Sequence, residues 1–146
     1  MKPDAGQILN VSALQLLTQI APLVPAGYPQ GTASLLAVLL MMAAQEYERG
    51  AEIRAVENAD MRALFAELAP MPSDATLKAS LLSAVGNDSP LTISALDTAN
   101  YELRRLLIDL QSHVEDQSGL EAREAERRIW NVLRASAERR LVRPPM

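Results

Sequence analysis

TASLLAVLLMMAAQEYERGAEIRAVENADMRALFAEL, residues Thr32 to Leu68, contains no proline and a single glycine, Gly50. The run predicts one continuous helix, about 55 Å long at 1.5 Å per residue. A rod of that length has to be sheathed by other helices along most of its course, so the stretch points to an all-α bundle. The front half is apolar on every side from Leu35 to Ala44, the pattern of a helix surrounded by protein at the centre of the fold. The rear half is amphipathic, with Ile53, Val56, Met61, Leu64, Phe65 and Leu68 on one stripe. The character changes at Gln45-Glu-Tyr-Glu-Arg-Gly50, where polar groups enter together.

Thr32 or Ser34 is competent to cap the start of this helix, and Pro70 and Pro72 end it. Upstream, Leu9, Leu14, Leu17, Ile20 and Val24 recur at every third to fifth residue and predict a first helix from Gln7 or Val11 to Val24. Pro22 bends or ends it. Pro25-Ala-Gly-Tyr-Pro29 with Gly31 is turn chemistry. Downstream, Ser73 or Asp74 caps a short third helix through Val85, with Gly86 after it. Ser89 is placed as the next N-cap, with Pro90 at the first helical position. That fourth helix runs to about Gln117. Leu96, Asn100, Leu103, Leu107, Leu110 and Val114 follow a seven-residue rhythm, the seam of an antiparallel helix pair, with Asn100 its one polar member. Gly119 precedes a fifth helix, about Leu120 to Val142, supported by the Glu124–Arg128 pair at i,i+4.

The chain has 146 residues, the size of a single domain. It carries no cysteine, which removes disulfides, thiolate catalysis and Cys-ligated zinc together. A net charge of −4 argues against general nucleic-acid binding. The apolar run Leu35–Ala44 spans about 15 Å, half of a bilayer core, so no transmembrane helix is predicted. Lys2 followed by Asp4, with Asn10, Gln15, Thr18 and Gln19 beyond, does not read as a signal peptide. Cytoplasm is the expected location.

Most ordinary chemistries fail on residue type. A di-iron bundle needs two Glu-x-x-His pairs, and the only histidine is His113, three residues after Leu110. One histidine without cysteine does not fill a zinc site. No Gly-x-Gly-x-x-Gly, Walker loop or Gly-x-Ser-x-Gly elbow is present. A catalytic triad would have to use His113, whose nearest sequence partner is Asp109 one turn back, the spacing of a surface ion pair. No catalytic residue, metal or cofactor is therefore expected.

Two polar groups are candidates for binding. Gln45, Arg49 and Glu52 share one face of the long helix, and Glu46 and Glu57 share another. On the fourth helix, the adjacent Arg104 and Arg105 beside Tyr101 are positioned to hold a carboxylate or phosphate, because guanidinium offers a rigid fork of donors. An anionic small molecule held by Gln45, Glu46, Arg49, Asn100, Tyr101 and Arg104 between the second and fourth helices would make the chain a binder or an enzyme, with Glu46 as acid or base. The competing reading is a rod that emerges into water at Gln45, beside a plain Glu102–Arg105–Asp109 charge ladder. Residues 121–143 hold seven arginines against four glutamates. Arg127, Arg128, Trp130 and Arg134 are the candidates for docking a larger partner through that segment. Trp130 is expected to pack inward against the fourth helix; exposed, it would mark an interface.

Three stretches carry a family likeness: Ala43-Ala44-Gln45 with Glu57-Asn-Ala-Asp-Met-Arg-Ala-Leu-Phe65, Leu96-Asp-x-x-Asn100-x-x-Leu103, and Leu133-Arg-Ala-Ser136 with Leu141 and Pro144. Together they resemble a small all-helical bacterial family of unknown function. The resemblance implies an accessory role, since members tend to be encoded beside acyl-CoA dehydrogenases and aminoglycoside-phosphotransferase-like kinases. It brings no catalytic residues. The expected molecule is thus a bundle of four long helices and one short one, non-enzymatic, working by interaction. A homodimer follows from the difficulty of covering both a greasy rod and the Leu96–Val114 seam within one short chain.

Overall fold

A computed structural model describes residues 4–141, and every regular element among them is helical. They are α1 (Ala5–Gln15), continued by a π turn (Leu16–Ile20) and a 3-10 turn (Ala21–Leu23), then α2 (Tyr28–Leu68), α3 (Ala75–Ser83), α4 (Ile93–Glu115) and α5 (Leu120–Arg139). The all-α bundle built on one long helix is the expected fold. By their contacts the residues group into two compact units, the first reaching Gly50 and the second spanning Ala51–Leu141.

In the first unit, Asp4 caps α1 by accepting from the Gly6 amide at 3.1 Å. Pro22 explains the irregular turns that follow. It lacks an N–H, and its ring crowds the carbonyl four residues back. The helix widens, so that the Ala21 amide reaches back five residues to the Leu16 carbonyl, and then tightens and ends at Val24 in extended backbone. Gly27 turns the chain with φ +108°, a conformation that a side chain would disfavour. α2 begins at Tyr28, a turn earlier than the expected Thr32 or Ser34. Pro29 suits a first helical turn, where amides lack partners anyway. The Thr32 and Ser34 hydroxyls do not cap. They donate back to the Tyr28 and Gln30 carbonyls at 3.0 and 3.1 Å. Gly6 lies against Tyr47, an added Cβ falling 3.7 Å from its ring, so α1 and the front of α2 form an antiparallel hairpin.

The buried residues of this hairpin are Gly6, Ala13, Ala21, Ala33, Ala37, Ala44 and Gly50. All are small. The large side chains Ile8, Val11, Leu14, Ile20, Leu35, Leu36, Val38, Leu39 and Met42 are exposed. This corrects the expectation that the front of α2 is surrounded by protein on every side. Helices that approach through alanine come close together, and their larger residues are left pointing outward.

The second unit inverts that arrangement. Met61, Leu64, Phe65 and Leu68 of α2 pack with Leu81 of α3, Leu103, Leu107, Leu110 and Val114 of α4, and Ala125 and Ile129 of α5. The α4 seam is buried along its whole length, Asn100 included, as its rhythm predicts. Asp74 caps α3 through the Thr76 and Leu77 amides. The helix stops at Ser83, short of the expected Val85. α4 is capped by Thr92 rather than Ser89, and Pro90 precedes the helix instead of opening it. The reason lies in Asp88, which is held by α2 side chains and ties the preceding loop to that helix. α4 also ends at Glu115, before the expected Gln117. Gly119, at φ +115°, leads into α5, which ends at Arg139. The expected end at Val142 and the terminal Pro144 lie outside the described residues.

Candidate functional site

The most concentrated polar chemistry of the second unit surrounds Glu57. Its side chain is 1% exposed, and it lies one turn before Met61, in phase with the apolar stripe of α2. Arg140 grips both oxygens, Nε to Oε1 at 2.7 Å and Nη2 to Oε2 at 2.6 Å. Ser136 Oγ donates to Oε1 at 2.8 Å. Arg104 Nη2 and Asn100 Nδ2 each reach Oε2 at 3.3 Å. α2 supplies the acid, α4 one arginine and the amide, the last turn of α5 the serine, and the residue that follows α5 the second arginine.

The network extends through Asn100. Its amide donates to Asn58 Oδ1 at 2.9 Å, and its carbonyl accepts from Arg104 Nε at 2.8 Å. Arg104 Nη2 also reaches Ser136 Oγ at 2.9 Å. Asn58 passes the chain on, donating to the Leu96 carbonyl and to Asp88. Arg62 completes it with a 2.6 Å ion pair to Asp88. Each buried amide thus has partners on more than one element, which is what removal from water requires.

Burial alone would push the Glu57 carboxyl up. The hydrogen bonds from Arg140 and Ser136 and the charges of Arg140 and Arg104 outweigh it and hold the group at about 2. Burial likewise opposes ionisation of Asp88, and Arg62 with Asn58 overcomes it, holding that group below its ordinary range. Five donor contacts fill the capacity of a carboxylate, about four lone-pair sites. At neutral pH Glu57 has no proton to give and no free oxygen to take one. The crevice beside it, lined by Met61, Leu107, Val132 and Leu133 among others, holds about 10 Å³, room for one water at most. The node's chemistry is that of a clasp. It neutralises charge inside the unit and fixes α2, α4 and the end of α5 to one another.

The sequence candidates separate. Gln45, Glu46 and Arg49 belong to the first unit and Asn100, Tyr101 and Arg104 to the second. Glu46 is exposed, and Gln45 and Arg49 are half-buried. Asn100 and Arg104 come together, both on Glu57, while Tyr101 faces solvent. Arg105 and Glu102 make the surface pair the ladder predicts, at 3.8 Å. Val56, placed on the buried stripe by its spacing, is exposed.

On α5, Arg128 turns toward α2 and pairs with Glu67 at 2.9 Å as well as with Glu124. Arg127 shares Glu124, and Arg134 is exposed. Trp130 does not pack inward as expected. It is 52% exposed, because Ile129 beside it takes the buried position. No family model, no curated protein and no solved structure matches this chain.

Spacing pairs Glu57 only with Glu46 on one helix face, and Asn58, Asp88, Ser136 and Arg140 were not among the binding candidates. A signal for burial was present at two of these positions. Glu57 and Asn58 stand seven residues before Leu64 and Phe65, so they are in register with the core. Nothing local marks Asp88, Ser136 or Arg140, whose partners are 26 to 83 residues away. Among the described residues no cluster of acidic or histidine side chains could hold a metal ion, and no helix is long and apolar enough to cross a membrane.

Proposed function

We propose that this chain is a non-enzymatic accessory module that acts by assembly, and that its first partner is a second copy of itself. The observation that carries the reading is the hairpin surface. No charged residue lies between Asp4 and Glu46, yet most of the large apolar side chains of that span are exposed. Large apolar side chains exposed in this number along both helices of a hairpin point to an interaction site. Covering the exposed half of a single Leu or Val side chain is worth on the order of 1 kcal/mol. An uncharged face neither repels its own copy nor selects a partner by charge, and a two-fold axis sets the same patch against itself. A lipid phase fits less well, because Gln7, Asn10, Gln15 and Gln19 are exposed among the apolar residues and would each lose water.

The clasped Glu57 supports the non-enzymatic part, since its hydrogen-bonding capacity is used within the fold. The family likeness adds the setting, an accessory to enzymes of acyl-CoA breakdown, with a larger enzyme as a further partner. Sedimentation equilibrium at micromolar concentration is the test. The expected mass is twice the 15.9 kDa of the chain, and Leu39→Glu, which places a charge on the exposed face of α2, is expected to give the single-chain mass. A single-chain mass for the unmodified protein, or a dimer that survives Leu39→Glu, overturns the reading.

A further inference from the structure

α5 presents an outward face that the clasp does not use. Arg123, Arg127, Trp130 and Arg134 recur at i, i+4, i+7 and i+11, which places them on one stripe. All four are exposed, while Ala122, Ala125, Ile129 and Ser136 are buried on the opposite side. Arg123 and Arg134 meet no carboxylate among the described residues, and Arg127 shares the single carboxylate of Glu124 with Arg128. The stripe therefore carries unneutralised positive charge around the chain's only tryptophan.

A half-exposed tryptophan flanked by arginines combines the side chains that most often anchor protein interfaces. The positive charge around it sets the sign of the partner. Glu126 and Glu138 border the stripe on either edge, which disfavours a continuous polyphosphate or a densely anionic lipid surface. It leaves room for discrete carboxylates matched to the arginines. We infer that this face docks an acidic amphipathic helix of another protein, with carboxylates opposite Arg123, Arg127 and Arg134 and an apolar side chain against the Trp130 ring. The inference rests on the accessory reading and names the chemistry of its partner. Its test does not read oligomeric state, so the two can fail separately.

Trp130 is its own reporter. The full chain is titrated with two synthetic helical peptides that share one leucine face, one carrying glutamate and the other lysine at every remaining position. The glutamate peptide is expected to shift Trp130 emission to the blue, saturably, with at least about tenfold weaker binding at high salt. The lysine peptide is expected to leave emission unchanged. The double variant Arg123→Glu/Arg134→Glu touches only exposed side chains, so its melting temperature should hold while the peptide preference reverses. A silent glutamate peptide, equal response to both peptides, or a preference that survives the reversal overturns the inference. So does a response to anionic vesicles or RNA where the glutamate peptide gives none.

Discussion

The hairpin and the second unit use similar apolar residues in opposite ways. In the hairpin, alanine and glycine fill the seam and leucine, isoleucine and valine face outward. In the second unit, leucine, phenylalanine and isoleucine fill the centre, and a charged group is drawn inside and neutralised. Closely packed small residues make a narrow seam with little apolar area, so the hairpin draws little stability from its own interior. The second unit holds its large residues in close-packed contact, where each contributes fully. The difference separates a part whose large apolar residues are internal from a part whose large apolar residues meet solvent.

The contrast breaks most sharply on a pair of truncations. Phe65→Ala removes a fully buried ring and is expected to cost about 3–5 kcal/mol in urea unfolding. Leu36→Ala, on the exposed hairpin face, is expected to cost less than about 1 kcal/mol at concentrations too low for self-association. Equal losses for the two would erase the distinction between the units.

Acid sharpens the same comparison. Glu57 ionises at about 2 in the folded chain against an ordinary 4.5. The unfolded chain therefore takes up the proton first as pH falls. The clasp's contribution is fully present above about pH 4.5 and is lost on the way down to about 2, a change on the order of 3 kcal/mol. Glu57→Gln keeps the shape but removes the negative charge that Arg104 and Arg140 share. It should cost about 2–3 kcal/mol at neutral pH and flatten the acid dependence. Urea midpoints of both proteins at about pH 5 and about pH 2.5 decide it. A variant as steeply acid-sensitive as the parent means that the clasp is not the source.

The smallest expected effect lies at a helix end. Asp74→Ala removes the acceptor of the Thr76 and Leu77 amides and should cost about 1 kcal/mol in the same measurement. No change would mean that α3 is held by its packing through Leu77 and Leu81 and not by its cap.

Much of the architecture was legible because it is local. Proline-free length read as α2, the seven-residue rhythm from Leu96 to Val114 read as the α4 seam, and the glycine before Leu120 read as the start of α5. Errors fell where local signals compete. Thr32 and Ser34 can cap a helix or sit inside one, and Pro29 decided between those roles. Ser89 with Pro90 has the form of a helix start, but Asp88 is bound elsewhere. Asn100, Arg104 and Glu57 each stand out in the sequence as polar positions, yet their meeting does not, because Glu57 lies 43 and 47 residues from the other two.

By itself, the order of residues determined that this protein is helical, where its turns fall, and that a long uncharged span opens it. Those properties depend on neighbours within a few positions. Tertiary structure alone decided which apolar residues are covered, which way Trp130 faces, and that Glu57 is clasped by one arginine from α4 and another at the end of α5. Burial and charge pairing arise between segments far apart in the chain, and their free energies exist only once those segments have met.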